Sequence, residues 1–292
     1  MPKLTLRLAA MALAAAGFAG QALGQPQPGC EPKFGHPPLA RKGTLIAGIN
    51  PTIAPLQYID DDGNIIGLDV DFGNAIADRL CLKIFYQSTQ YATMIPLLKE
   101  GRIDMIDSLM FYTPERAAQM FMVPYGASAE SILVNRDNKD EVKGLAYFSG
   151  KTLALELGTT ELLLANKTNE ELKAAGKPLI DIHSFGTYAD VLQAFRAGQA
   201  DGVVIGTEQA FYYRRKGADF YRIAMTGLDP HAEALAFADQ GIAQKVADIL
   251  NEMQADGSFA KIFEPYKHCT LPPPHKITTG PLPAPVCKEP TD

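Results

Sequence analysis

Residues 111–125 read Phe-Tyr-Thr-Pro-Glu-Arg-Ala-Ala-Gln-Met-Phe-Met-Val-Pro-Tyr, directly after a short apolar run at 103–110. Thr113 suits an N-cap, Pro114 the first helical position, and Glu115 the first turn, where the positive end of the helix dipole favours an acid. Arg116 falls in that same turn. A helix start leaves backbone N–H groups without intrahelical partners, and a guanidinium beside them makes a receptor for a carboxylate or another small anion. Taken alone, an Arg would more often pair with a neighbouring Asp or Glu. The strand-to-helix setting is what favours the anion.

Working outward, the chain alternates short apolar runs with helix-period segments. Residues 43–49 read as a strand, and 67–80 place Val70, Phe72, Ile76, Ala77 and Leu80 on one helical face. A strand is expected at 83–87, a helix at 91–99 interrupted by Pro96, and a strand at 103–110. Later strands are expected at 131–134, 151–157, 180–184, 202–205 and 234–238. Helices are expected at 162–167, 188–197, 209–216 and 242–256. Gly158-Thr159-Thr160-Glu161 is a second strand-to-helix turn, readable as an ordinary N-cap or as a second anion cradle. Such alternation predicts α/β layers with mainly parallel sheets.

The chain has 292 residues, 47% hydrophobic and 21% charged, which is room for two domains. Residues 1–24 carry Lys3 and Arg7, an apolar stretch and small residues at its end, and read as a secretory signal. Losing those two bases from a formal charge of −6 leaves −8. An acidic chain without a basic run argues against nucleic acid or an anionic membrane as partner. Four cysteines in an exported protein imply two disulfides. Of the three pairings, Cys30–Cys81 with Cys269–Cys287 ties each Pro-rich arm to the body. No metal is expected: the cysteine spacing does not fit zinc, and the acidic turn 60–64 lacks the spacing and terminal Glu of a calcium loop. No cofactor is expected either.

Several short motifs fall in order: Asn50-Pro51-Thr52-Ile53-Ala54-Pro55-Leu56, Gly67-Leu68-Asp69-Val70-Asp71, Gly101-Arg102-Ile103-Asp104 and Thr113-Pro114-Glu115-Arg116. Pro124-Tyr125, Gly158-Thr159-Thr160, Gly198-Gln199-Ala200-Asp201 and Ala255-Asp256-Gly257 follow. Over about residues 41–268 the chain resembles the extracellular solute-binding proteins of family 3, which serve ABC importers of polar amino acids. The resemblance implies a type II periplasmic-binding-protein architecture, two α/β lobes with a hinge between them and the ligand enclosed. Lobe 1 would be 41–128 with 234–268, and lobe 2 would be 129–233. A Pro-rich arm (25–40) and tail (269–292) flank them. It also implies a soluble periplasmic monomer that hands its ligand to a membrane permease.

Carried over by matching motif, Arg116 would clamp a ligand carboxylate, Thr159 and Thr160 would complete the clamp from the other lobe, and Tyr91 would lie against the ligand. Thr113 belongs to the same motif. Some positions depart from the pattern. Ile53 stands where the family has an aromatic, Asn50 where it has an acid, and Phe111 where it has Ser or Thr. Gly206 stands where the family places the Asp that receives an α-ammonium, which leaves Glu156 or Glu208 to supply that charge. Glu156 is the favoured of the two, as a carboxylate at the end of an apolar strand, where α/β sheets bind ligands. Two other classes remain open. One is a periplasmic enzyme of the cyclohexadienyl-dehydratase kind, with Glu156 or Glu208 as general acid. The other is an accessory binding protein docking to a partner that is not a permease.

Overall fold

A computed structural model describes residues 29–287; the expected signal segment lies outside them. In chain order the first strands and helices are β1 (Thr44–Ile49), β2 (Thr52–Ile53), β3 (Gln57–Ile59), β4 (Ile65–Ile66), α1 (Leu68–Leu80), β5 (Lys83–Ser88), α2 (Met94–Lys99), β6 (Met105–Ile106), α3 (Pro114–Ala117) and β7 (Phe121–Asn135). Then come β8 (Thr152–Glu156), α4 (Thr160–Ala174), β9 (Asp181–Phe185), α5 (Tyr188–Arg196), β10 (Gly202–Gly206), α6 (Thr207–Arg215), β11 (Tyr221–Phe237), α7 (Gln240–Asp256), α8 (Ser258–Phe263) and β12 (Cys269–Thr270).

Local chemistry explains the best-defined elements. In α1 the buried Leu68, Phe72, Ile76 and Leu80 recur at helical spacing, and the helix stops where Cys81 turns left-handed at φ 57°. α7 starts at Asp239, whose carboxylate accepts from the Ile242 N–H, and ends at Gly257 with φ 77°. β1 is buried along its whole length, as a strand covered on both faces must be.

The main sheet runs β5-β1-β6-β11-β7-β10-β8-β9, with β12 added to β7. β1 pairs in parallel with β5 and β6, and β8 in parallel with β10 and β9. Between these two parallel halves lie β7 and β11, antiparallel to one another. The α/β class stands as read, and parallel pairing holds within each half. Two strands crossing between lobes accord with the family resemblance, but their lengths exceed what the local pattern indicates. A strand of 15 residues and one of 17 take the place of the short strands expected at 131–134 and 234–238. Each passes unbroken from one half of the molecule to the other, and the register of β11 slips repeatedly between Ile223 and Ala234. α4 also extends well past the expected 162–167.

Both disulfides pair as Cys30–Cys81 and Cys269–Cys287, and no described cysteine is free. The stretch after residue 269, read as a Pro-rich tail tied to the body by its disulfide, is fastened at further points. β12 pairs with Ala127 and Gly126, Thr278 bridges Met122, and the Tyr112 hydroxyl donates to the Gly280 carbonyl at 2.5 Å. Mass analysis of the native protein after thiol alkylation should therefore find no adduct. An alkylated Cys81 would contradict this pairing.

Candidate functional site

Where the two halves face one another, a narrow, nearly closed cavity is lined by Ile53, Tyr91, Leu109 and Phe111 from one side. Thr159, Thr160, Glu161 and Tyr188 line the other, and Glu130 lies at the back on β7. Side-chain hydrogen bonds cross the cleft between the halves. Asn50 Nδ2 donates to Glu156 Oε1 at 2.7 Å, Gln209 Nε2 to the Thr52 carbonyl at 2.9 Å, and Arg116 Nη2 to the Gly158 carbonyl at 3.1 Å. Gly158 lies tight against the facing half. It has φ +84°, and a Cβ there would lie 2.8 Å from the Ala92 Cα. Any other residue would be strained in its own backbone and would also strike the facing half.

Arg116 is 7% exposed. Thr113 caps α3 as the sequence reads, its Oγ1 accepting from the Arg116 N–H at 3.2 Å, but α3 has only four residues. The guanidinium turns inward, donates to the Phe111 carbonyl at 2.7 Å, and lies 5.6 Å from the centre of the Tyr91 ring. Burial pushes the Tyr91 hydroxyl up to about 12, against the pull of Arg116, so it stays neutral. Phe111 stacks on His231 at 5.3 Å. Tyr91, Phe111, Thr159 and Thr160, read separately from the sequence, line this cavity, and Arg116 lies beside Tyr91, bonded to the Phe111 and Gly158 carbonyls, without lining it.

On the facing half, Thr159 caps α4: its Oγ1 accepts from the Leu162 N–H and donates to the Glu156 carbonyl at 2.9 Å. Glu161 in the first turn receives hydrogen bonds from the Thr160 and Tyr188 hydroxyls. Glu156 is buried and held by Asn50 beside the cavity without lining it; its carboxyl is pushed up to about 8, by burial first and then by Glu161. Glu208 lies elsewhere. It accepts from Ser128 Oγ at 2.6 Å, sits 3.6 Å from His268 Nδ1, and lines a separate cavity under the tail with Lys267 and Cys287.

Sequence reasoning missed Glu130, Glu161, Leu109 and Tyr188 as cavity residues. Burial first, and Glu161 second, raise Glu130 well above the ordinary carboxylate range. A signal for it existed, since it is the one acid in the stretch 121–134, otherwise apolar or small. Leu109 has φ 48°, and its N–H donates to the buried Asp69 carboxylate at 3.2 Å, so the Gly-Leu-Asp motif on α1 shapes the cavity wall from behind.

The chain is similar to the L-cystine-binding protein TcyJ of Escherichia coli, 25% identical over 228 residues covering 76% of this chain and 82% of TcyJ. It is equally similar to the arginine-binding extracellular protein ArtP of Bacillus subtilis, 25% identical over 229 residues covering 76% of this chain and 85% of ArtP. Among solved structures, an ancestral arginine-binding protein bound to arginine superposes with a TM-score of 0.71 at 28% identity, covering 77% of this chain and 98% of that one. The ancestral amino acid-binding protein AncCDT-1, a precursor of cyclohexadienyl dehydratase, gives 0.67 at 26% identity, covering 77% and 95%. The family model matches residues 45–268, and the chain belongs to the bacterial extracellular solute-binding proteins, family 3.

Proposed function

We propose that this chain is a periplasmic receptor that captures an amino acid or amino-acid derivative between its two lobes and delivers it to an ABC importer. The observation that carries the reading is the buried Arg116, poised between the Phe111 carbonyl and the carbonyl of Gly158, just before α4. A ligand carboxylate drawn into that position exchanges two neutral acceptors for a charged one, which a guanidinium binds more strongly. Thr159 and Thr160 supply hydroxyls and the start of α4, and Tyr91 and Phe111 form aromatic walls. Relatives named for cystine and arginine point to the same ligand class. Melting curves with the standard L-amino acids and L-cystine test it. A ligand at about 100 times its Kd adds about 2.7 kcal/mol, which raises the melting temperature by several degrees. No shift with any of them overturns the reading.

Closure would bring 129–233 against the rest of the chain about β7 and β11, and ligand would shift that equilibrium only through its differential affinity for the closed form. Small-angle scattering should show a smaller radius of gyration when ligand saturates the protein; equal radii count against closure. Gly158→Val should hold the lobes apart and weaken binding while leaving the fold intact.

A second reading, that of an enzyme, has one observation in its favour. With its carboxyl pushed up to about 8, Glu156 carries a proton at neutral pH beside a closed cleft, as a general acid requires. Turnover of prephenate or arogenate would establish it, and the absence of turnover leaves the receptor.

A further inference from the structure

The antiparallel ladder between β7 and β10 sets Gly206 directly opposite Glu130. Directly opposed residues in such a ladder project from the same face of the sheet, with Cβ positions about 5 Å apart. At position 206 that face is the cavity wall: the nearest atom to a Cβ there is Leu109 Cδ2 at 3.8 Å, and Leu109 lines the cavity. Gly206 therefore leaves space in front of β10, and the neighbouring side chain that opens onto the same space is Glu130.

Hydrogen bonds and position together separate the buried acids Glu130, Glu156 and Glu161 around the cleft. Both oxygens of Glu161 are engaged, one by Thr160 and one by Tyr188. Glu156 is bound through Oε1 to Asn50; its Oε2 is open as well, but it does not line the cavity. Glu130 lines it, is 3% exposed, and its Oε2 has no hydrogen-bond partner among the described residues. A buried acid with an open oxygen is costly unless something pairs with it.

Resting on the amino-acid reading above, we propose that Glu130 receives the ligand's ammonium group. The receiving carboxylate has moved one rung across the ladder, from the β10 position now held by Gly206 to β7. A Glu from the neighbouring strand is one methylene longer than the Asp expected at 206, and the missing side chain at Gly206 clears its path. The move also changes what the ammonium pulls on. Glu130 is paired on its other side with Leu228 of β11, so it stands where the two crossing strands meet, next to the register slips of β11.

The test uses the full mature protein, its Glu130→Gln variant, and the double variant Glu130→Gln with Gly206→Asp. Each is titrated calorimetrically with the standard L-amino acids and L-cystine, and with the deaminated carboxylate of whichever binds. The wild type should bind at least one amino acid. Glu130→Gln should weaken that binding about tenfold or more. It should leave the deaminated carboxylate within about threefold, and Gly206→Asp should restore the amino acid. Glu130→Gln is nearly isosteric, and a melting curve without ligand establishes its fold. Unchanged amino-acid affinity in Glu130→Gln overturns the assignment alone. Equal loss for both ligand types also overturns it, making Glu130 a structural acid. A wild type that binds no amino acid overturns the receptor reading together with the assignment.

Discussion

Arg116→Ala is expected to weaken the captured amino acid by roughly 2–5 kcal/mol, the cost of losing a charge-assisted, two-pronged partner in a desolvated site. The side chain is buried, its two bonds point to opposite walls of the cleft, and Tyr91 packs beside it. Its removal leaves the ligand carboxylate facing carbonyl oxygens. Arg116→Lys should recover little, because an ammonium cannot present two parallel N–H donors. Since the guanidinium also ties Phe111 to Gly158 across the cleft, the empty variant should open more readily, and scattering without ligand checks this separately. Calorimetric affinity within about threefold of wild type would sink the carboxylate role.

The second large effect is on stability against pH. Burial raises Asp69 to about 8 and Glu156 to about 8, and it raises Asp107 and Glu130 well above the carboxylate range. Asp107 has neither oxygen hydrogen-bonded among the described residues. Each of these acids holds its proton in the folded chain at pH values where the unfolded chain has released it. Folding therefore loses stability as pH rises from the unfolded value near 4 towards the folded one. His268 acts in the same direction. Burial disfavours its charge, but Glu233 at 2.6 Å and Glu208 outweigh that and push it up to about 9. Its contribution is complete below about 6.5 and is lost as pH rises through about 9. The empty protein should therefore melt highest near pH 5 and several degrees lower at pH 8. Asp107→Asn should flatten the slope. A melting temperature that climbs from pH 5 to pH 8 would show that these acids are ionised in the folded chain.

How far the sequence carried depends on the distance over which each feature is decided. α1 and α7 were legible because their buried positions recur within the element and their ends carry local stop signals. β11 was not. Its stretch 221–233 lacks alternation, contains Asp229-Pro230 with φ 47° at Asp229, and stays extended because β7 pairs with it across a series of slips. The cleft divides the same way. Arg116, Thr159 and Thr160 lie in strand-to-helix turns that announce themselves. Glu130 and Tyr188 reach the cavity only through sheet register and the docking of α5, which no short window contains. Glu208, offered beside Glu156 for the missing charge, is turned by α6 toward Ser128 and His268, which sequence distance alone does not reveal.

The fastening of the C-terminal stretch bears on where the molecule bends. Thr278 bridges Met122, His275 Nδ1 lies 3.0 Å from the Pro124 carbonyl, β12 covers Gly126 and Ala127, and the second disulfide returns the chain to the same place. All of these grip β7 from its start to Ala127, and none of them grips it beyond. A splinted beam flexes where the splint stops. In the proposed closure, bending of β7 would therefore begin at Ser128, two residues before the proposed ammonium site at Glu130, with the tail as the stiffener that sets the axis.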